Sequence, residues 1–222
     1  IFVGDIACFE ALALINSSDF SDKKKTRILC EIINILRETA YGEVLDVEYS
    51  YRKAKIADIW QVVDLKTARY SFVGPLKIGA TLGNVRKSQL EALFDFGIAA
   101  GKAFQLQDDI LGVFGDEKVT GKSTITDLQE GKNTILIYKA RELAKGRNKI
   151  DLERIWGKRD AKMADLRSAR AIIKDSGALD WCSREALRLV NQAKQHIAGV
   201  TIDADLRQVL NEIAEFVVTR KS

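Results

Sequence analysis

Apolar positions recur every three or four residues along nearly the whole chain, the periodicity of helices with one buried face. Residues 1–15 read as a helix entered in mid-pattern, with no N-cap before Ile1. Ser17, Ser18, Asp19, Ser21 and Asp22 supply turn and capping chemistry ahead of a long helix over about 23–50. In that helix Ile28, Ile32, Leu36, Ala40 and Val44 form an i+4 row, which predicts one buried face. A third helix, roughly 55–70, carries Ile56, Ile59, Trp60 and Val63 on a stripe that continues into Lys66-Thr67. A break over 71–74 precedes Pro75, which suits a helix start, and Gly83-Asn84 ends the short helix that follows. The longest remaining pattern covers 87–113, and further helices are expected at 132–146, 158–175, 178–198 and 203–220. No repeat, low-complexity tract or linker interrupts the series, so the chain reads as one all-α domain over 1–222.

Composition narrows the function classes. One proline in 222 residues agrees with an almost wholly helical chain. The net charge of +4 is the difference of 35 basic and 31 acidic residues with both signs interspersed, and no dense basic stripe suggests a nucleic-acid partner. Asp5 and Glu10 break the N-terminal apolar run, so neither a signal peptide nor stable membrane insertion is expected. Cys8, Cys30 and Cys182 are odd in number and far apart, which argues against a disulfide framework or zinc site and for a reducing, cytoplasmic setting. His196 is the only histidine, so most histidine-based metal and triad chemistry is excluded. The chain opens on Ile1 and its only methionine is Met163, and residues upstream of Ile1 are expected in the gene.

Chemistry concentrates where the 87–113 pattern runs into Gln105-Leu-Gln-Asp108-Asp109. Gly97, Gly101, Gln105, Asp108 and Gly112 fall on one helical face. Each interior glycine costs about 0.5–1 kcal/mol relative to alanine, so three on one stripe need a reason. Close helix packing is one reason, and a cavity beside the carboxylates is the other. Apolar neighbours (Phe104, Leu106, Ile110, Leu111) disfavour full exposure of the adjacent aspartates. Buried carboxylates require a cation or hydrogen bonds. Mg²⁺ is commonly held by one or two carboxylates plus substrate phosphates, and Lys122 and Lys132 on the glycine-rich segment downstream suit the same phosphates. Lys66 ends an apolar stripe, where it either snorkels to water or meets a bound anion. Glu43 and Asp46, following Gly42, form a further acidic pair, read as a polar network in preference to a solvated edge.

In order along the chain stand Val3-Gly4-Asp5, Gly42-Glu43-Val-Leu-Asp46, Lys66-Thr67-Ala68, Gly101-Lys-Ala-Phe104-Gln105-Leu-Gln-Asp108-Asp109, Gly121-Lys122, Asp127-Leu128, Gly131-Lys132-Asn-Thr134 and Ser176-Gly177-Ala178. Together they resemble the trans-isoprenyl diphosphate synthases, the polyprenyl synthetase family. The resemblance implies an isoprenoid synthase fold, an antiparallel helix bundle around a central cavity. It implies condensation of isopentenyl diphosphate with an allylic diphosphate (dimethylallyl, geranyl or farnesyl), Mg²⁺ dependence and a homodimer with much of its interface on the helix over 23–50 and its neighbour. Asp108 and Asp109 would then bind Mg²⁺, and Lys66 and Lys122 would hold the allylic diphosphate. Thr67, Gln105 and the backbone around Lys66 would stabilise the developing allylic cation. Gly42, Glu43 and Asp46 would order the cavity wall, and Lys132 would lie on a loop closing over the site.

Two departures stand out. Gly112 replaces the last aspartate of the family's second aspartate-rich motif, and nothing matches the first such motif or the basic residues of the isopentenyl diphosphate site. These departures motivate the alternative of a catalytically silent subunit partnering an active synthase. They also imply that the chain as given is inactive by itself.

Overall fold

The computed structural model describes residues 2–52, 54–117, 121 and 123–220. The described residues form helices and no strand: α1 (Phe2–Ser17), α2 (Asp22–Tyr51), α3 (Ile56–Val62), a π-helical segment (Val63–Val73), α4 (Gly74–Gly83) and α5 (Lys87–Phe114). After these come α6 (Thr126–Glu130), α7 (Ile135–Leu143), α8 (Gly146–Ile155), α9 (Met163–Asp175), α10 (Ala178–Ala198) and α11 (Ala204–Thr219). The all-α expectation is met. No helix among the described residues is long and apolar enough to cross a membrane.

Helix α5 is the axis of the bundle. It packs most extensively against α10 on one side and the π-helical segment on another. Its buried residues include Phe96, Ala100, Ala103 and Leu106, and α7 adds Ile135, Leu136 and Ile137 to the same core. In α10 the buried residues Ala178, Cys182, Ala186, Leu189, Val190, Ala193 and Ile197 keep the three-and-four spacing of a single face.

Three expectations need correction. The buried row of α2 is Ile28, Ile35, Gly42 and Tyr49, seven apart, while Leu36, Ala40 and Val44 are exposed. A step of four overshoots a helical turn by about 40°, so an i+4 row winds round the helix, whereas a step of seven drifts only about 20°. No break occurs at 71–74: α3, the π-helical segment and α4 run on continuously. The Gly74 N–H still reaches back five residues to Arg69 O. Pro75, which has no N–H to give, stands in the first turn of α4, where the π-helical segment passes into α-helix. Helix α8 was not expected, and α9 begins at Met163 rather than 158. Gly146, at φ +54°, turns the chain between α7 and α8.

Candidate functional site

A cavity of about 520 Å³ opens between α2, the π-helical segment, the C-terminal half of α5 and the segment 123–134 that includes α6. Asp46, Lys66, Thr67, Gln105, Asp108, Asp109 and Lys132 all line it. They come from four separate stretches of the chain, so this convergence is a property of the fold. A wider, shallower groove of about 1130 Å³ beside the end of α2 and α8 has acidic and basic groups interspersed and holds neither Lys66 nor Asp108.

The glycines of α5 divide between the two readings. A Cβ on Gly97 would meet Val73 at 3.0 Å, and one on Gly101 would run into the Ala68 backbone. Both glycines therefore serve close packing of α5 on the π-helical segment. Gly112 differs, because a Cβ there would collide with the Asp127 carboxylate. Asp127 of α6 thus fills the space that a side chain at 112 would take, and places a carboxylate beside the face carrying Asp108. Asp127 belongs to the Asp127-Leu128 motif, but nothing in its local sequence ties it to position 112.

The π-helical segment presents Lys66 and Thr67. It approaches α2 closely because Gly42 has no side chain: a Cβ there would lie 2.8 Å from the Lys66 backbone nitrogen. Lys66 Nζ then sits 2.8 Å from Asp46 Oδ2 and 2.9 Å from Glu43 Oε2. Burial disfavours the charge, but the hydrogen bonds to Asp46 and Glu43 outweigh it and hold Lys66 above its usual range. So Glu43 and Asp46 form a network, half-exposed rather than buried, that keeps the lysine charged and aimed at the cavity wall. Thr67 is buried and its hydroxyl donates to Gln105 Oε1 at 2.6 Å.

The adjacent aspartates, expected to act as one metal pair, point to different places. Successive helical side chains diverge by about 100°. Asp108 is 40% exposed at the cavity and pairs with the Arg220 guanidinium. Asp109 is only 4% exposed. Its Oδ1 accepts from Gln105 Nε2 at 2.9 Å and its Oδ2 from the Ile135 N–H at 3.1 Å, the first turn of α7. Burial outweighs those hydrogen bonds and, with Asp108 and Asp127 nearby, pushes Asp109 up to about 7. Asp109 therefore anchors a chain from the α7 N-terminus through Gln105 to Thr67, and both its oxygens are committed within the protein.

Lys132 Nζ meets Asp127 Oδ1 at 2.6 Å and Glu130 Oε2 at 3.5 Å. Burial opposes its charge, and Asp127 more than compensates, so it too is held above its usual range. The segment 131–134 is pinned: Trp156 Nε1 donates to Lys132 O at 3.0 Å and Asn133 Nδ2 to Tyr49 O at 2.6 Å. Lys122 lies outside the described residues. Arg220, just past α11, entered the site unannounced. A basic residue at a helix end ordinarily answers the dipole, and no spacing connects position 220 to 108.

Among the described residues no three acidic, thiol or imidazole groups cluster closely enough to hold a metal by themselves. A hard cation is held by few protein oxygens and completed by water and phosphate. Asp108, with a guanidinium already against it, and Asp127, seated in the Gly112 cradle, are the oxygen donors that fit.

Comparison with known proteins bears on the family and the fold. The family described as Polyprenyl synthetase matches residues 1–173. A geranylfarnesyl diphosphate synthase of Aeropyrum pernix is 36% identical over 189 residues, 85% of this chain and 57% of that protein. A short chain isoprenyl diphosphate synthase of Methanothermobacter thermautotrophicus is 30% identical, covering 100% of this chain and 67% of its own length. Among solved structures, geranylgeranyl pyrophosphate synthase from Corynebacterium glutamicum, complexed with isoprenyl diphosphate and magnesium, superposes with a TM-score of 0.92. The two share 28% identity over 98% of this chain and 62% of that one. Polyprenyl synthase from Caulobacter crescentus, complexed with calcium and isoprenyl diphosphate, gives 0.83 at 32% identity, covering 96% and 62%. The chain thus spans about 57–67% of the length of these relatives. It belongs to the polyprenyl synthetase family.

Proposed function

We propose that the protein of which this chain is part is a prenyl diphosphate synthase. It would join isopentenyl diphosphate to an allylic diphosphate to give a longer trans-polyprenyl diphosphate. The observation that carries this reading is one cavity holding a charged lysine, a carboxylate half-site and a hydrogen-bonded Thr67–Gln105 pair. Mg²⁺ bound there would neutralise charge on the departing diphosphate. Asp108 and Asp127 would hold it, with Asp109 orienting its neighbours from behind. Lys66, kept protonated by Asp46 and Glu43, would bind the diphosphate and stabilise it as the allylic C–O bond breaks. Thr67 and Gln105 would direct dipoles at the allylic cation while the isopentenyl double bond attacks and a proton is lost. Lys132, and Lys122 by the motif resemblance, would complete the phosphate contacts, and the pinned 131–134 segment would limit water that quenches the cation.

The silent-subunit alternative loses one of its two motives, because Asp127 stands where the Gly112 side chain would be. We also infer a homodimer, supported by exposed Ile33, Leu36, Tyr41, Val44 and Val47 on α2. The free state of Cys8, Cys30 and Cys182 supports a cytoplasmic location. The test is product analysis of the full-length protein given isopentenyl diphosphate, Mg²⁺ and dimethylallyl, geranyl or farnesyl diphosphate in turn. Chain-extended products are expected, lost in Asp108→Ala and at least ~100-fold slower in Lys66→Ala. Turnover near wild type in both variants would refute the site.

A further inference from the structure

We propose that Arg220 is a tethered cation: it holds Asp108 when no metal is bound, and yields it to a divalent cation that arrives with diphosphate. The inference rests on Asp108 being a metal ligand.

The position of Arg220 is built, not incidental. Its side chain is only 9% exposed, and its guanidinium pairs with Asp108 Oδ1. The same group donates to Phe104 O at 3.3 Å and lies 3.9 Å over the Phe104 ring. Its backbone is held as well, since Gln107 Nε2 donates to Arg220 O at 3.2 Å and the Arg220 N–H donates to Phe216 O at 3.0 Å. Phe104, Gln107 and Asp108 all belong to about one turn of α5. The end of α11 is thereby fastened to the helix that carries the half-site.

The guanidinium sits directly against Asp108 Oδ1, so it and a metal ion would compete for that oxygen. Asp108 lies close to the Asp109 carboxylate, with Asp127, already paired with Lys132, also acting on Asp109, and leaving Asp108 uncompensated in a partly buried cavity is costly. A permanently charged guanidinium relieves that repulsion at any ordinary pH. A metal ion must first displace it, so metal alone binds weakly. Diphosphate changes the balance, because its oxygens accept the released guanidinium as a two-pronged donor and bring further ligands to the metal. Arg220 thus makes metal and diphosphate binding mutually dependent, which keeps the half-site closed until both are present.

Mn²⁺ binding, followed by electron paramagnetic resonance on the full-length protein with and without inorganic pyrophosphate, tests this without turnover. Without pyrophosphate, Arg220→Gln is expected to bind Mn²⁺ about tenfold more tightly than wild type, and to show a smaller gain when pyrophosphate is added. Phe104→Leu, which removes the stacking ring but keeps both charges, is expected to shift affinity the same way by less. It supplies the answer if Arg220→Gln fails to fold. Equal or weaker Mn²⁺ binding in these variants, with binding lost in Asp108→Asn, would overturn the inference alone. Undiminished binding in Asp108→Asn would overturn the metal reading of Asp108 as well.

Discussion

At the scale of single residues, the site depends on what is missing from Gly112 as much as on what its neighbours carry. The Asp127 carboxylate occupies the space of the absent side chain. Gly112→Ala should therefore displace Asp127, weakening Mn²⁺ binding in the presence of pyrophosphate by ~10-fold, the scale of a disturbed metal support. Since the obstacle is the tip of one side chain and not backbone, the melting temperature should move little. A large loss of stability with normal metal binding would show that the contact is merely packing. Cys182 offers a different check. Burial pushes its thiol up to about 12, while Cys8 and Cys30 are exposed. At pH 8, 5,5′-dithiobis(2-nitrobenzoate) should modify Cys182 only after unfolding. Rapid reaction of all three would contradict the packing of α10 on α5.

Elements position these residues by backbone proximity. The π-helical segment can lie against both α2 and α5 only because Gly42 and Gly101 remove a side chain at each crossing. Gly101→Val should cost about 1–3 kcal/mol in urea denaturation, since the obstacle is Ala68 backbone that cannot swing away. Because Lys66 and Thr67 belong to the displaced element, kcat should fall in proportion to more than the loss of folded protein. Thr134 caps α7 by accepting the Ile137 N–H at 3.3 Å, and the next residue's N–H holds Asp109. Thr134→Ala should lower stability by about 1 kcal/mol, measured the same way. A neutral result would mean that Asp109 alone suffices to satisfy the helix start.

For the molecule as a whole, apolar surface is unevenly distributed. Helix α1 buries no residue although Phe2, Val3, Ile6, Phe9 and Leu14 are apolar, and α2 exposes Val44 at 63% and Val47 at 58%. Helices apolar over so much of their surface are normally covered. If α2 forms the proposed dimer interface, Val44→Asp should shift sedimentation equilibrium of the full-length protein toward monomer. An unchanged dimer would move the interface elsewhere.

The sequence by itself determined the helical class, because three-and-four periodicity with one proline admits little else, and α10 and α11 came out within a residue of expectation. It also determined which residue types matter, since Lys66, Gln105 and Asp108 are costly where the apolar pattern puts them. It misplaced the buried face of α2, because periodicity records the spacing of apolar residues but not which of two possible rows finds a neighbour. It could not divide the work of Asp108 and Asp109, adjacent in the chain but about 100° apart on the helix. Tertiary structure alone brought Asp127 to Gly112 and Arg220 to Asp108. The first spans 15 residues and the second 112, and neither has a local propensity, both being settled only when α6 and α11 find their places against α5.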